Sequence, residues 1–130
     1  MNKRKQSVAI IDPHSDIARA YQQRLAVEGY EAIVFADAAN SLGYLIDVGV
    51  DALIMELDLV DMPALELIEI LKSNPNCSHI PIIVLANIAD FDFSQKAREL
   101  GASDYLIKST TSGSDVVDRN SATIEVLVFY

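Results

Sequence analysis

The chain has 130 residues, 51% of them hydrophobic and 22% charged. That is one domain, too apolar for disorder and long enough to bury about two-thirds of its unfolded surface. Ten Lys plus Arg face 19 Asp plus Glu, for a formal charge of −9. This balance excludes nucleic acid and an anionic membrane surface as expected partners, and leaves a metal site or a docking face for a basic protein.

In chain order, a basic start, Met1–Lys5, leads into the apolar run Val8–Ile11, which stops at Asp12. That run is too short for a signal-peptide core, and no run approaches the ~20 residues of a membrane span. Ile17, Tyr21 and Leu25 recur at helical spacing before Gly29. Ala32–Phe35 is the second apolar run, followed by a helix marked by Leu42, Leu45 and Ile46 and ended near Gly49. Ala52–Met55 is the third run, followed by Leu65, Ile68 and Leu71, with a stop at Asn74-Pro75. Ile82–Leu85 is the fourth, followed by a helix around Ser94–Leu100 that stops at Gly101, and Tyr105–Ile107 is the fifth. The runs do not alternate strictly, as expected of strands buried on both faces. Five strands alternating with helices predict a doubly wound parallel α/β sheet.

The single cysteine, Cys77, allows no intramolecular disulfide and points to a reduced, cytoplasmic setting. With only His14 and His79 beside it, a Cys/His zinc site of the usual ligand count is excluded. Cys77 and His79 read as loop residues rather than a nucleophile pair. Tyr21, Tyr30 and Tyr44 read as packing residues. No phosphate-binding glycine loop and no nucleophile elbow is present.

In an open parallel sheet, sites form at the carboxyl ends of strands. Asp12-Pro13-His14 follow strand one, Glu56 closes strand three with Asp58 just beyond, Ala86-Asn87 close strand four and Lys108 follows strand five. Two acids and a lysine from three strand ends could meet in one pocket. His14 stands at its rim, and with Asp12 and Glu56 makes only a weak metal-ligand set.

These segments, in this order, resemble the receiver domain of bacterial response regulators. The carriers are Ile10-Ile11-Asp12, the stretch Asp51–Asp58 with Met62 and Leu65-Glu66-Leu67, His79–Leu85, and Gly101–Lys108. The resemblance implies a flavodoxin-like (CheY-like) sheet in the order 2-1-3-4-5. It implies one receiver-like domain over 1–130, with a core over 7–108 and an atypical C-terminal segment over 109–130.

The family transfers a phosphoryl group to an aspartate, and this chain departs from that pattern. The phosphoacceptor position falls on Glu56. The acidic pair after strand one is Asp12 and Pro13, and proline offers no oxygen where the principal magnesium ligand belongs. The hydroxyl switch position falls on Ala86, the aromatic switch position on Tyr105 and the lysine on Lys108. Asp58 is the alternative acceptor, but choosing it breaks the spacing to Met62 and to Leu65-Glu66-Leu67.

The expectation is therefore a non-enzymatic, phosphorylation-independent protein–protein interaction module of bacterial signal transduction, with magnesium binding weak or lost and no other cofactor. The alternatives are a regulator phosphorylated at a non-standard aspartate such as Asp58, or a small-ligand module. Behind the polar stretch Ser109–Ser114, the β-branched and aromatic Thr123–Tyr130 predicts an extended tail in place of a long fifth helix. Such a tail would cover apolar surface by pairing with a second subunit, giving a homodimer.

Overall fold

The structure, a computed structural model, describes residues 6–86 and 90–107. Nine elements alternate: β1 (Ser7–Ile11), α1 (Ser15–Val27), β2 (Glu31–Phe35), α2 (Ala38–Asp47), β3 (Ala52–Glu56), α3 (Ala64–Ser73), β4 (Ile82–Ala86), α4 (Phe91–Leu100) and β5 (Asp104–Ile107). The strands form one parallel sheet in the order β2-β1-β3-β4-β5. This is the predicted order. The expectations for Asn87, for Lys108, for the tail and for tail-mediated pairing lie outside the described residues.

Strand alternation divides the core. Ala9, Ile11, Leu53, Met55, Ile82 and Val84 face α2, α3 and α4, packing with Leu45, Leu67, Ile68 and Leu71. Val8, Ile10, Ala52, Ile54, Ile83 and Leu85 face the other way, toward Ala18, Tyr21 and Leu25 of α1. The three inner strands are buried at every position, so continuous apolar runs were the right signal for them. β2 differs from the expectation. It is an edge strand, only half-buried, because just one neighbour pairs with it. On its free edge the Ala32 carbonyl accepts a hydrogen bond from Gln22 Nε2 at 3.0 Å.

The helix ends follow local chemistry. Asp37 caps α2 by accepting from Asn40 N at 2.8 Å, and Asp90 caps α4 by accepting from Phe93 N at 3.0 Å. The second cap starts α4 at Phe91, three residues before the predicted Ser94. Gly101 ends α4 at φ +118°, a left-handed conformation that favours glycine. A Cβ at this residue would lie 2.9 Å from Lys72 Cγ, so the glycine also makes room for that side chain.

Candidate functional site

Register places the acids. Ile11 pairs with Met55, so Asp12 and Glu56 stand one residue further along neighbouring parallel strands, whose backbones run about 5 Å apart. Alternation turns both side chains to the α1 side, the side of Ile10 and Ile54. Both are buried, Asp12 at 3% and Glu56 at 1% exposure. Two carboxylates in so little water need compensating donors.

Part of that compensation comes from the next residues. Asp12 Oδ1 accepts from the backbone N–H of His14 at 2.8 Å, and His14 Nδ1 lies 3.2 Å from the same oxygen. Pro13 between them carries no N–H and fixes its own φ, which suits the turn leading into α1. Asp12 Oδ2 is buried and accepts no hydrogen bond among the described residues.

Magnesium, the ion this fold family uses, tests the site. It demands near-octahedral oxygen ligation. Asp12 supplies one carboxylate and Pro13 supplies none. Among the described residues, no three His, Cys, Asp or Glu side chains come together as a metal cage. The donor set lacks an oxygen at residue 13, where the resemblance places the principal ligand.

The other two sequence-derived positions lie on the opposite face. Val84 pairs with Tyr105 and Ala86 with Ile107, and Val84 and Tyr105 both pack on the α4 side. Ala86, two residues after Val84, shares that side, is fully buried and has only a methyl group to present. The Tyr105 ring sits 6.0 Å from that of Phe93, tilted by 46°. Burial, followed by the charges of Asp90 and Asp58, pushes the Tyr105 hydroxyl above its usual pKa. Asp58 itself is exposed on the β3–α3 loop, two residues past Glu56. Asp12, in contact with His14, and Glu56 thus stand at neighbouring strand ends on the α1 side, while Ala86 and Tyr105 belong to the α4 side.

Sequence reasoning did not find Asp61. It reaches from the β3–α3 loop to the start of α2, where Ala38 N and Ala39 N donate to its two oxygens at 3.1 and 2.9 Å. These bonds, that from Ala39 first, hold the Asp61 carboxyl below its usual pKa. The loop after Glu56 is thereby fastened to a neighbouring helix. No local signal could have shown this, because donors and acceptor are more than 20 residues apart.

Cys77 and His79 lie on the α3–β4 turn, as expected, and diverge. His79 is exposed, whereas Cys77 is fully buried with Sγ 3.3 Å from the Leu71 carbonyl. Burial raises its thiol pKa, which suppresses the reactive thiolate. Tyr21 is buried in the α1-side core and Tyr44 packs on Phe35 at 5.7 Å between centroids, so both serve packing. No described helix is long and apolar enough to cross a membrane.

Known proteins resemble this chain in sequence and in fold. The chain is 31% identical over 107 residues to the "Probable transcriptional regulator ycf27" of Cyanidium caldarium, covering 82% of this chain and 42% of that protein. It is 28% identical to "Protein RcaC" of Microchaete diplosiphon, over 86% of this chain and 17% of that one. The chain thus spans less than half the length of either relative. Among solved structures, a CheY-like receiver domain protein from Methanospirillum hungatei superposes with a TM-score of 0.86 at 21% identity, covering 94% of this chain and 95% of the other. A receiver domain protein from Clostridium thermocellum does so with a TM-score of 0.84 at 19% identity, covering 95% and 98%. At such identities these two show the fold alone. The model of the response regulator receiver domain matches residues 8–117, and with that span and this sheet order the chain belongs to the response regulator receiver domain family.

Proposed function

We propose that this receiver domain is a phosphorylation-independent protein–protein interaction module of a cytoplasmic signalling system, not an enzyme. The observation that carries the reading is the substitution of apolar groups on both sides of buried Glu56: Pro13 where a metal carboxylate belongs, and fully buried Ala86 where a hydroxyl would read out a phosphoryl group. Phosphoryl transfer depends on positioning and on charge neutralisation by a metal. Glu56 carries its oxygens one methylene further than an aspartate, and a shift of about 1 Å can cost roughly a hundredfold in rate. In this reading Asp12 and Glu56 are remnants of the acidic site, and Tyr105 stays packed on Phe93 without a switch.

The test is treatment with acetyl phosphate and magnesium, followed by mapping of alkali-labile acyl phosphates. None is expected on Asp12, Glu56 or Asp58, and one on any of them overturns the reading. Calorimetric titration should find magnesium binding weaker than about 1 mM, improved in Pro13→Asp, which restores an oxygen ligand. Partners captured from a native lysate should bind treated and untreated protein alike.

A further inference from the structure

Among the described helices, α2 stands apart in charge. The other three each carry acidic and basic residues, whereas α2 carries a single charge, Asp47, in its last turn. Its inner side holds the buried Ala38, Ser41 and Leu45. Ala39, Gly43 and Asp47 recur every fourth residue on the outward side and are all exposed, with the half-buried Leu42 and Ile46 beside them. Two of these residues work against the helix. Gly43 weakens a helix interior, and a Cβ placed there would meet nothing within 4 Å, so packing inside the domain does not require a glycine. Asp47 sets a carboxylate at the negative end of the helix dipole.

The loop after β3 extends this face. Asp61 accepts from the backbone N–H groups of Ala38 and Ala39 at 3.1 and 2.9 Å, which fixes the preceding residue, Val60, next to the start of α2 with 75% of its surface exposed. Val60 and the outward side of α2 thus make one preformed apolar strip, recessed at Gly43. Carboxylates mark both of its ends, Asp37 and Asp61 at the start of α2 and Asp47 about 15 Å away at its finish. A second copy of the chain does not suit this pattern. Packed antiparallel about Gly43, it would set Asp47 of each copy beside Asp37 and Asp61 of the other, and packed parallel it would set like end on like end.

We propose that this strip is a docking surface, and that its occupant is a cationic amphipathic helix of another protein. One large apolar side chain of that helix fills the recess at Gly43, and its neighbours pack on Val60, Leu42 and Ile46. Lys or Arg residues about ten positions apart on it meet the acidic ends of the strip. Those pairs fix orientation and speed the encounter with a chain of formal charge −9, while the apolar contacts hold the complex. The inference rests on the docking function proposed above and names its surface and the kind of partner.

The experiment titrates the isotopically labelled full chain with a synthetic helical peptide, leucine and alanine along one side and lysine pairs about ten positions apart, and follows backbone amide shifts. Saturable shifts should concentrate over residues 38–48 and at Val60, and the same peptide with glutamate for lysine should bind at least about tenfold more weakly. Gly43→Gln fills the recess with a better helix former, so it should raise the denaturation midpoint while weakening binding at least about tenfold. Misfolding cannot produce that opposite pair of changes. Asp47→Asn should weaken binding about threefold and reduce its salt dependence. No binding, shifts centred on the acids of α3 or α4, equal affinity for both peptides, or unchanged affinity in Gly43→Gln overturns the proposal. Self-association that Gly43→Gln abolishes overturns the choice of occupant. An acyl phosphate that alters peptide binding overturns the phosphorylation-independent reading alone, whereas loss of site-selective binding without such an adduct overturns this inference alone.

Discussion

The two ends of the sheet treat buried polar groups in opposite ways. At the amino ends, such groups serve architecture. Asp51, just before β3, accepts from Ser7 N at 2.7 Å, and Ser7 O accepts in return from Asp51 N at 2.9 Å, joining the starts of two strands. Lys72 passes beneath Gly101 and donates to the Ser78 and Ile80 carbonyls at 3.1 and 2.7 Å, closing the turn into β4. At the carboxyl ends, Asp12 and Glu56 are more deeply buried, yet Asp12 Oδ2 accepts no hydrogen bond among the described residues. Burial of charge with incomplete compensation costs stability. The amino ends thus hold the domain together, and the carboxyl ends gather its buried carboxylates.

Substitutions at the amino ends should therefore destabilise. Gly101→Ala should have the largest effect, about 2 kcal/mol, because it combines a left-handed backbone with a Cβ driven against Lys72. A chemical-denaturation midpoint measures this, and an unchanged midpoint would remove the Lys72–Gly101 packing from the account. Lys72→Met should lose about 1–2 kcal/mol, since two carbonyls lose a donor while the aliphatic stem is kept.

A matched pair places the two ends in direct opposition. Asp51→Asn should cost about 1 kcal/mol by weakening a charge-assisted bond. Asp12→Asn keeps an acceptor for His14 N–H and removes a buried charge, so it should leave stability unchanged or raise it by up to about 1 kcal/mol. Losses of equal size from both substitutions would break the comparison.

The smallest effect concerns Asp61, the surface clamp near the carboxyl end. Its folded-state pKa is lowered, so its contribution is present above the unfolded value, about 3.9, and is lost as pH falls through the folded value. Asp61→Asn should be less stable than the native chain at pH 7, and the difference should vanish in strong acid. Urea melts across that range follow it, and a difference independent of pH would mean that the carboxylate charge plays no part.

The site was legible as far as chain order and register carry it. Glu56, Asp12 and Ala86 could be assigned because parallel strands of similar length end together, so the residue after each apolar run lies on a common rim. The sequence places His14 beside that rim, but its attachment to the Asp12 carboxylate depends on side-chain geometry in the turn at Pro13. Asp51, Asp61 and Lys72 look like ordinary surface charges in the sequence, and no local pattern marks their partners.

By itself, the sequence determined the α/β class, the sheet order through its family pattern, and the departures at Pro13, Glu56 and Ala86. These follow from hydrophobic period and residue chemistry, which are local properties. Tertiary structure alone decided that Asp12 and Glu56 share a face opposite that of Ala86 and Tyr105, and that Cys77 lies in the core. Burial and hydrogen bonding are properties of what packs against a residue. That depends on segments tens of positions away, brought alongside only when the sheet assembles.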